Sequence, residues 1–167
     1  MSDKYLYSPW RLDYILSEKP GDCILCRYQD LGSDEENLIV WRGKTCYAML
    51  NRYPYNNGHI MLVPYQHLKN LSDLPPETLA ELGVLAQKSE QALHNAYRCE
   101  GINIGLNLGK AAGAGVDEHL HVHVVPRWSG DNNFMSVVNG ERVIPEDFRT
   151  SFVRLREEFQ KLMGKGE

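Results

Sequence analysis

Apolar and polar positions along this chain fall into two periods, and the switches between them mark out the elements. Short apolar runs come first, at Leu38 to Trp41, Cys46 to Leu50 and His59 to Pro64, separated by turn-forming Arg42-Gly43-Lys44 and Asn56-Asn57-Gly58. Runs of this length bounded by Gly and Asn predict an antiparallel meander. Asp73 followed by Pro75-Pro76 then opens a segment in which Leu79, Leu82, Ala86, Leu93 and Tyr97 share one helical face, which predicts a long amphipathic helix. Strand alternation returns at Ile102, Ile104 and Leu106, and again, after a Gly/Ala loop, at Leu120, Val122 and Val124. Both are expected as half-buried strands. Phe148, Phe152, Leu155, Phe159 and Leu162 mark a C-terminal helix with an apolar stripe to cover. Upstream, Ser8-Pro9-Trp10-Arg11 suggests a short helix, and Gly32 to Asn37 reads as a solvated loop. There is no internal repeat.

Composition narrows the class. The 167 residues suit one domain that buries its own core. With 18 basic against 22 acidic residues and a formal charge of −4, no basic stripe points to nucleic acid as a partner. No apolar run is long enough for a membrane span, and Met1 to Tyr5 lacks the apolar core of a signal peptide. A cytoplasmic protein is expected. In a reducing compartment Cys23, Cys26, Cys46 and Cys99 are better metal ligands or packed thiols than disulfides.

The chemistry concentrates at His119-Leu120-His121-Val122-His123. On a strand, a period of two sends all three imidazoles to one face. Three readings follow: packed histidines, a metal site, or a nucleophilic imidazole oriented by its neighbours. Cys23-Ile24-Leu25-Cys26 suits half of a tetrahedral zinc site, a redox pair or packed thiols. Gly109-Lys110-Ala111-Ala112-Gly113-Ala114-Gly115 is either a flexible connection or a loop whose backbone N–H groups cradle phosphate.

The histidines and the two apolar residues after them, Val124-Val125, match at every position the signature of the histidine triad (HIT) family, which the chain resembles. The resemblance extends through Asn51, Gly58-His59-Ile60-Met61-Leu62-Val63-Pro64 and Gly105-Leu106-Asn107-Leu108-Gly109, covering most of residues 38 to 128. It implies a single α+β domain over 1–167: a five-stranded antiparallel sheet with a long helix packed on it, a C-terminal helix and an N-terminal zinc-knuckle segment. It also implies that His121 is the nucleophile, that His123 contacts phosphate near the leaving group, that Asn51 binds ribose and that Asn107 touches phosphate, with His59 close by. Gly113 and Gly115 belong to the phosphate loop on this reading. In zinc-bearing members the remaining ligands match His67 and His119, which gives a structural zinc on Cys23, Cys26, His67 and His119.

Pro126-Arg127-Trp128-Ser129-Gly130-Asp131-Asn132-Asn133-Phe134-Met135, with Ser8-Pro9-Trp10-Arg11, resembles the branch holding diadenosine polyphosphate phosphorylases and hydrolases. The expected activity is attack on a dinucleoside polyphosphate such as diadenosine tetraphosphate through a covalent nucleotidyl-histidine, with phosphate or water as acceptor, in a homodimer. A phosphoramidase of the same family and a non-catalytic nucleotide-binding protein are the alternatives. Cys46 and Cys99 are expected as packed thiols, and His94 as a surface histidine.

Overall fold

The structure, a computed structural model, describes residues 23–131 and 146–164. The helix expected near Ser8 and the residues around Phe134 lie outside the described residues. Helix α1 (Ile24–Asp30) and the one-turn α2 (Asp34–Asn37) lead into strands β1 (Ile39–Arg42), β2 (Cys46–Leu50) and β3 (Ile60–Pro64). The long α3 (Pro76–Tyr97), β4 (Gly101–Leu106), β5 (Val122–Arg127) and α4 (Phe148–Met163) follow. All five strands pair antiparallel in the order β1-β2-β3-β5-β4, which leaves β4 at an edge. The α+β architecture expected from the sequence is the one observed.

The pleat sorts the residues of each strand between two cores. On one face Ala48, Leu50, Ile60, Leu62, Val122 and Val124 pack under Leu82, Leu85 and Leu93 of α3 and Phe152, Leu155 and Phe159 of α4. Cys46 and Cys99 belong to this core. On the opposite face Ile39, Tyr47, Met49, Met61 and Val63 form a smaller cluster closed by Leu25 of α1. Since Met61 pairs with His123 and Gly105 with His123, cross-strand partners share a face and His123 lies on this second, thinly covered side. The helices occupy the other.

Several local expectations change. The buried stripe of α3 is Thr78, Leu82, Leu85, Ser89, Ala92 and Leu93; Leu79 lies at its margin and is 51% exposed. Helical rotation of about 100° per residue puts 78 and 79 a quarter-turn apart, and small polar Thr78 and Ser89 let α3 approach the sheet where apolar periodicity alone misses them. Asp73 sits in a preceding 3₁₀ turn, and the helix opens at Pro75-Pro76. The segment read as a loop holds α2, because Ser33 and Glu36 form a reciprocal capping box. Helix α1 carries no such signal in its sequence. Gly58 adopts φ +74°, and a Cβ there would stand 2.6 Å from the Tyr97 ring, so the β2–β3 turn needs glycine for both conformation and space. Among the described residues no helix is long and apolar enough to cross a membrane.

Candidate active site and metal centre

Strand β5 begins at Val122, one residue after His121. The expected row of three parallel histidines therefore divides. His121 and His123 stay together, their rings in a T-shaped contact at 4.8 Å. His119, before the strand, turns its ring toward Cys23, Cys26 and His67.

The side-chain ligand atoms of Cys23, Cys26, His67 and His119 lie within 4.8 Å of one another. Cys23 Sγ is 3.3 Å and Cys26 Sγ 3.5 Å from His119 Nδ1, and Cys26 Sγ is 3.3 Å from His67 Nδ1. Tetrahedral zinc, with its usual bond lengths, separates sulfur and nitrogen ligands by about 3.6 Å. The donor set fits that metal in type and spacing. His119 Nε2 faces the Pro64 carbonyl at 2.9 Å, so Nε2–H donates there and Nδ1 keeps its lone pair for the cluster, the outer-shell arrangement that orients a ligating imidazole. A metal here would tie α1 to the loops following β3 and preceding β5.

The remaining histidines form a chain whose proton positions follow from their partners. Two N–H groups converge on His59 Nδ1, the Tyr55 backbone amide at 3.1 Å and the Asn51 side-chain amide at 3.3 Å. That nitrogen must accept, so the His59 proton sits on Nε2. His59 Nε2 is 2.9 Å from His123 Nδ1 and donates to it, which puts the His123 proton on its own Nε2, free to donate to a bound oxyanion. His121 Nδ1 is 2.8 Å from the His119 carbonyl; since a carbonyl only accepts, Nδ1 carries the proton and Nε2 keeps a lone pair. One ring thus presents a bare nitrogen lone pair and its neighbour an N–H.

Burial enforces this neutrality. It holds His123 down to about 4 and His59 down to about 3, with the neighbouring histidines adding repulsion in both cases. His121 is likewise lowered by burial, against the opposing hydrogen bond to His119. Above the acid range these rings are uncharged.

Asn51, Asn107, Gly113 and Gly115 lie in the turn and loop segments that leave strands β2 and β4. Asn51 leaves the end of β2, and its Oδ1 accepts from the Tyr53 amide at 2.9 Å, closing an Asx turn. Leu106 pairs with Val122, so continuing the register sets Asn107 across from His121. Gly113 takes the left-handed conformation at φ +85°, and a Cβ at it or at Gly115 would meet no atom within 4 Å beyond the adjoining residues. His94 is exposed on α3, with its Nδ1 3.6 Å from Cys99 Sγ.

Two features had no sequence signal. The Tyr55 ring lies 4.8 Å from His59 and 5.8 Å from His123, forming a wall beside the donor ring. Asn56 donates to the Pro126 carbonyl at 2.9 Å and to Asp131 at 2.8 Å, while Asp131 also binds Arg127 at 2.5 and 2.8 Å. This network clamps the β2–β3 turn to the end of β5 and so holds Tyr55 and His59 against His123. The Asn-Asn-Gly turn marks a bend but gives no hint of its partner some 70 residues away.

The HIT domain family model matches residues 33–130. An AP-4-A phosphorylase of Mycobacterium tuberculosis is 53% identical over 117 residues, which are 70% of this chain and 60% of that protein. The chain thus spans less than two thirds of that relative's length. An asymmetrical bis(5'-nucleosyl)-tetraphosphatase of Schizosaccharomyces pombe is 31% identical over 103 residues, 62% of this chain and 56% of the relative. Among solved structures, a Zn-bound histidine triad family protein from Mycobacterium smegmatis superposes with a TM-score of 0.69 at 30% identity, covering 86% of this chain and 96% of that one. The match runs unbroken from the capping turn at Ser33 through the sheet and the histidines to Gly130, and the chain belongs to the HIT domain family.

Proposed function

We propose that the protein cleaves dinucleoside polyphosphates of the diadenosine tetraphosphate class through a covalent nucleotidyl-His121 intermediate. The observation that carries the proposal is the complementary proton placement on adjacent rings: His121 has a bare Nε2 because Nδ1 donates to the His119 carbonyl, and His123 has an Nε2–H because His59 donates to its Nδ1. In the reaction His121 Nε2 forms a bond to the α-phosphorus. The bond from that phosphorus to the bridging oxygen breaks, and the electron pair leaves with the nucleoside polyphosphate. His123 donates a hydrogen bond to the departing phosphate, where charge builds up. An acceptor then cleaves the phosphorus–nitrogen bond and restores neutral His121.

Asn51 would bind the ribose hydroxyls, and Asn107, Gly113 and Gly115 the phosphates. Identity of 53% with a phosphorylase favours inorganic phosphate over water as acceptor. The metal held by Cys23, Cys26, His67 and His119 would be zinc, with a structural role, since four protein ligands leave no open coordination position. Its contribution would be to fix His119, whose carbonyl sets the His121 proton. The exposed edge strand β4, with Ile104 50% exposed, supports a homodimer, and free thiols arranged as metal ligands support a cytoplasmic setting.

The test combines adduct trapping with product analysis. Acid-sensitive labelling by α-³²P diadenosine tetraphosphate is expected in the wild type and lost in His121→Asn. A labelled His121→Asn adduct, or no labelling of the wild type during turnover, would overturn the mechanism. At saturating phosphate, ADP and ATP are the expected products; AMP with ATP alone would replace phosphate by water as acceptor.

A further inference from the structure

A polyphosphate chain brings one negative charge on every phosphate into this site, yet the histidines that meet it are neutral by construction. His59 and His123 each accept a hydrogen bond at Nδ1, which a protonated ring cannot do, and His121 needs a lone pair to attack. Backbone amides and Asn51 and Asn107 offer dipoles only. The whole chain, moreover, has a formal charge of −4. Charge compensation has to come from a cation at the rim.

Among the described residues, the arginines flanking the site are committed elsewhere. Arg127 is held by both oxygens of Asp131 and by Asn103 Oδ1 at 2.8 Å. Arg52 donates to the Glu36 carbonyl and stacks over the Tyr28 ring at 5.3 Å. Lys110 is different. It opens the short 3₁₀ turn Lys110–Ala112 inside the loop that joins Asn107, across from His121, to His119. Its side chain is 85% exposed, and its ion pair with Asp117 stretches to 3.9 Å. A pair so loose and so exposed contributes little, so the ammonium can leave Asp117 for a stronger anion.

We propose that Lys110 is the electrostatic anchor of the polyphosphate chain, exchanging its loose partner Asp117 for the phosphates that lie beyond the one attacked by His121, and so selects for substrates with several phosphates. This rests on the reaction proposed above for the same site. Two signatures follow. Lys110 should matter more as the phosphate chain lengthens, and Asp117, which competes for the ammonium, should oppose binding.

The experiment pairs binding with kinetics on the full chain. Calorimetry with inorganic tripolyphosphate is expected to show about fivefold weaker binding for Lys110→Met and recovery to near wild type for Lys110→Arg, with tighter binding for Asp117→Asn. In turnover, Lys110→Met should raise KM for diadenosine tetraphosphate about fivefold. It should change kcat/KM for a one-phosphate ester of adenosine 5'-monophosphate less than about twofold. Equal tripolyphosphate affinity in wild type and Lys110→Met, or equal losses on the one-phosphate and four-phosphate substrates, would overturn the anchor. A wild type that turns over no dinucleotide, yet loses tripolyphosphate affinity on Lys110→Met, would overturn the reaction and leave the anchor standing.

Discussion

Replacing His59 by Phe breaks the proton relay to His123. His59 is 1% exposed and stacks beside Tyr55 at 4.8 Å, so phenylalanine keeps much of the ring's packing while removing both nitrogens. Three hydrogen bonds disappear, those from the Tyr55 amide and the Asn51 side-chain amide and the one to His123 Nδ1. The first two losses leave partly buried N–H groups without that acceptor, at a cost of about 1–3 kcal/mol for each one left unpaired. The third frees His123 to carry its proton on Nδ1, which turns Nε2 from a donor into an acceptor facing phosphate. Losing one aimed donor to developing charge lowers kcat about 10²–10³-fold; residual population of the correct tautomer softens this, so a fall of at least about tenfold is expected. KM should change less than kcat, because the His123 contact strengthens mainly in the transition state, while Asn51 loses only one of its two side-chain contacts in the turn. His59→Gln, which restores an N–H toward His123, should recover part of kcat. Nitrogen-15 NMR reads the His123 tautomer directly, Nε2–H in the wild type and a shift toward Nδ1–H in His59→Phe. If His59→Phe keeps its wild-type kcat, or if its His123 proton stays on Nε2, the relay is wrong.

Three further outcomes follow from the same structure. The depressed folded values of His123, about 4, and His59, about 3, mean that the unfolded chain takes up protons first as pH falls below the ordinary histidine value; stability should be flat above about pH 6.5 and decline from there to about pH 4, most of it lost before the native rings protonate. Calorimetric melting across that range checks this, and a melting temperature unchanged between pH 6.5 and 4.5 would contradict it. Elemental analysis should find about one zinc per chain, and Cys23→Ser should lower both zinc content and melting temperature, by several degrees if the α1 contacts of Leu25 are lost with the metal; absence of metal with unchanged melting refutes the site. Asn51→Ala should weaken ribonucleotides more than 2'-deoxy analogues, and it should also loosen the β2–β3 turn through loss of the Tyr53 contact; equal losses for both sugars would move ribose recognition elsewhere.

The class of fold and the nature of the chemistry are local properties of this sequence. Alternation around Val122 and Val124 and the lengths of the apolar runs dictate strands because a pleat repeats every two residues, and the helical stripes follow from a period of 3.6. The histidine spacing and the Cys23/Cys26 pair mark candidate reactive and metal-ligating groups wherever they fold. Which ring does what is not local. His119, His121 and His123 look equivalent in sequence; they differ because β5 starts only at Val122, leaving His119 to turn toward cysteines about 95 positions away. Proton placement depends on partners from other elements, the Tyr55 amide on His59 and the His119 carbonyl on His121. The clamp of Asn56 on Asp131, like the Glu81 carboxylate that accepts the Lys44, Thr45 and Cys46 amides at the β1–β2 turn, joins residues with no shared period. Even the buried edge of α3 was set by neighbours, since Thr78 and Ser89 are buried while Leu79 is 51% exposed. Periodicity reports which positions can share a face, whereas the tautomer of an imidazole and the partner of a carboxylate depend on atoms that only the closed chain brings within 3 Å.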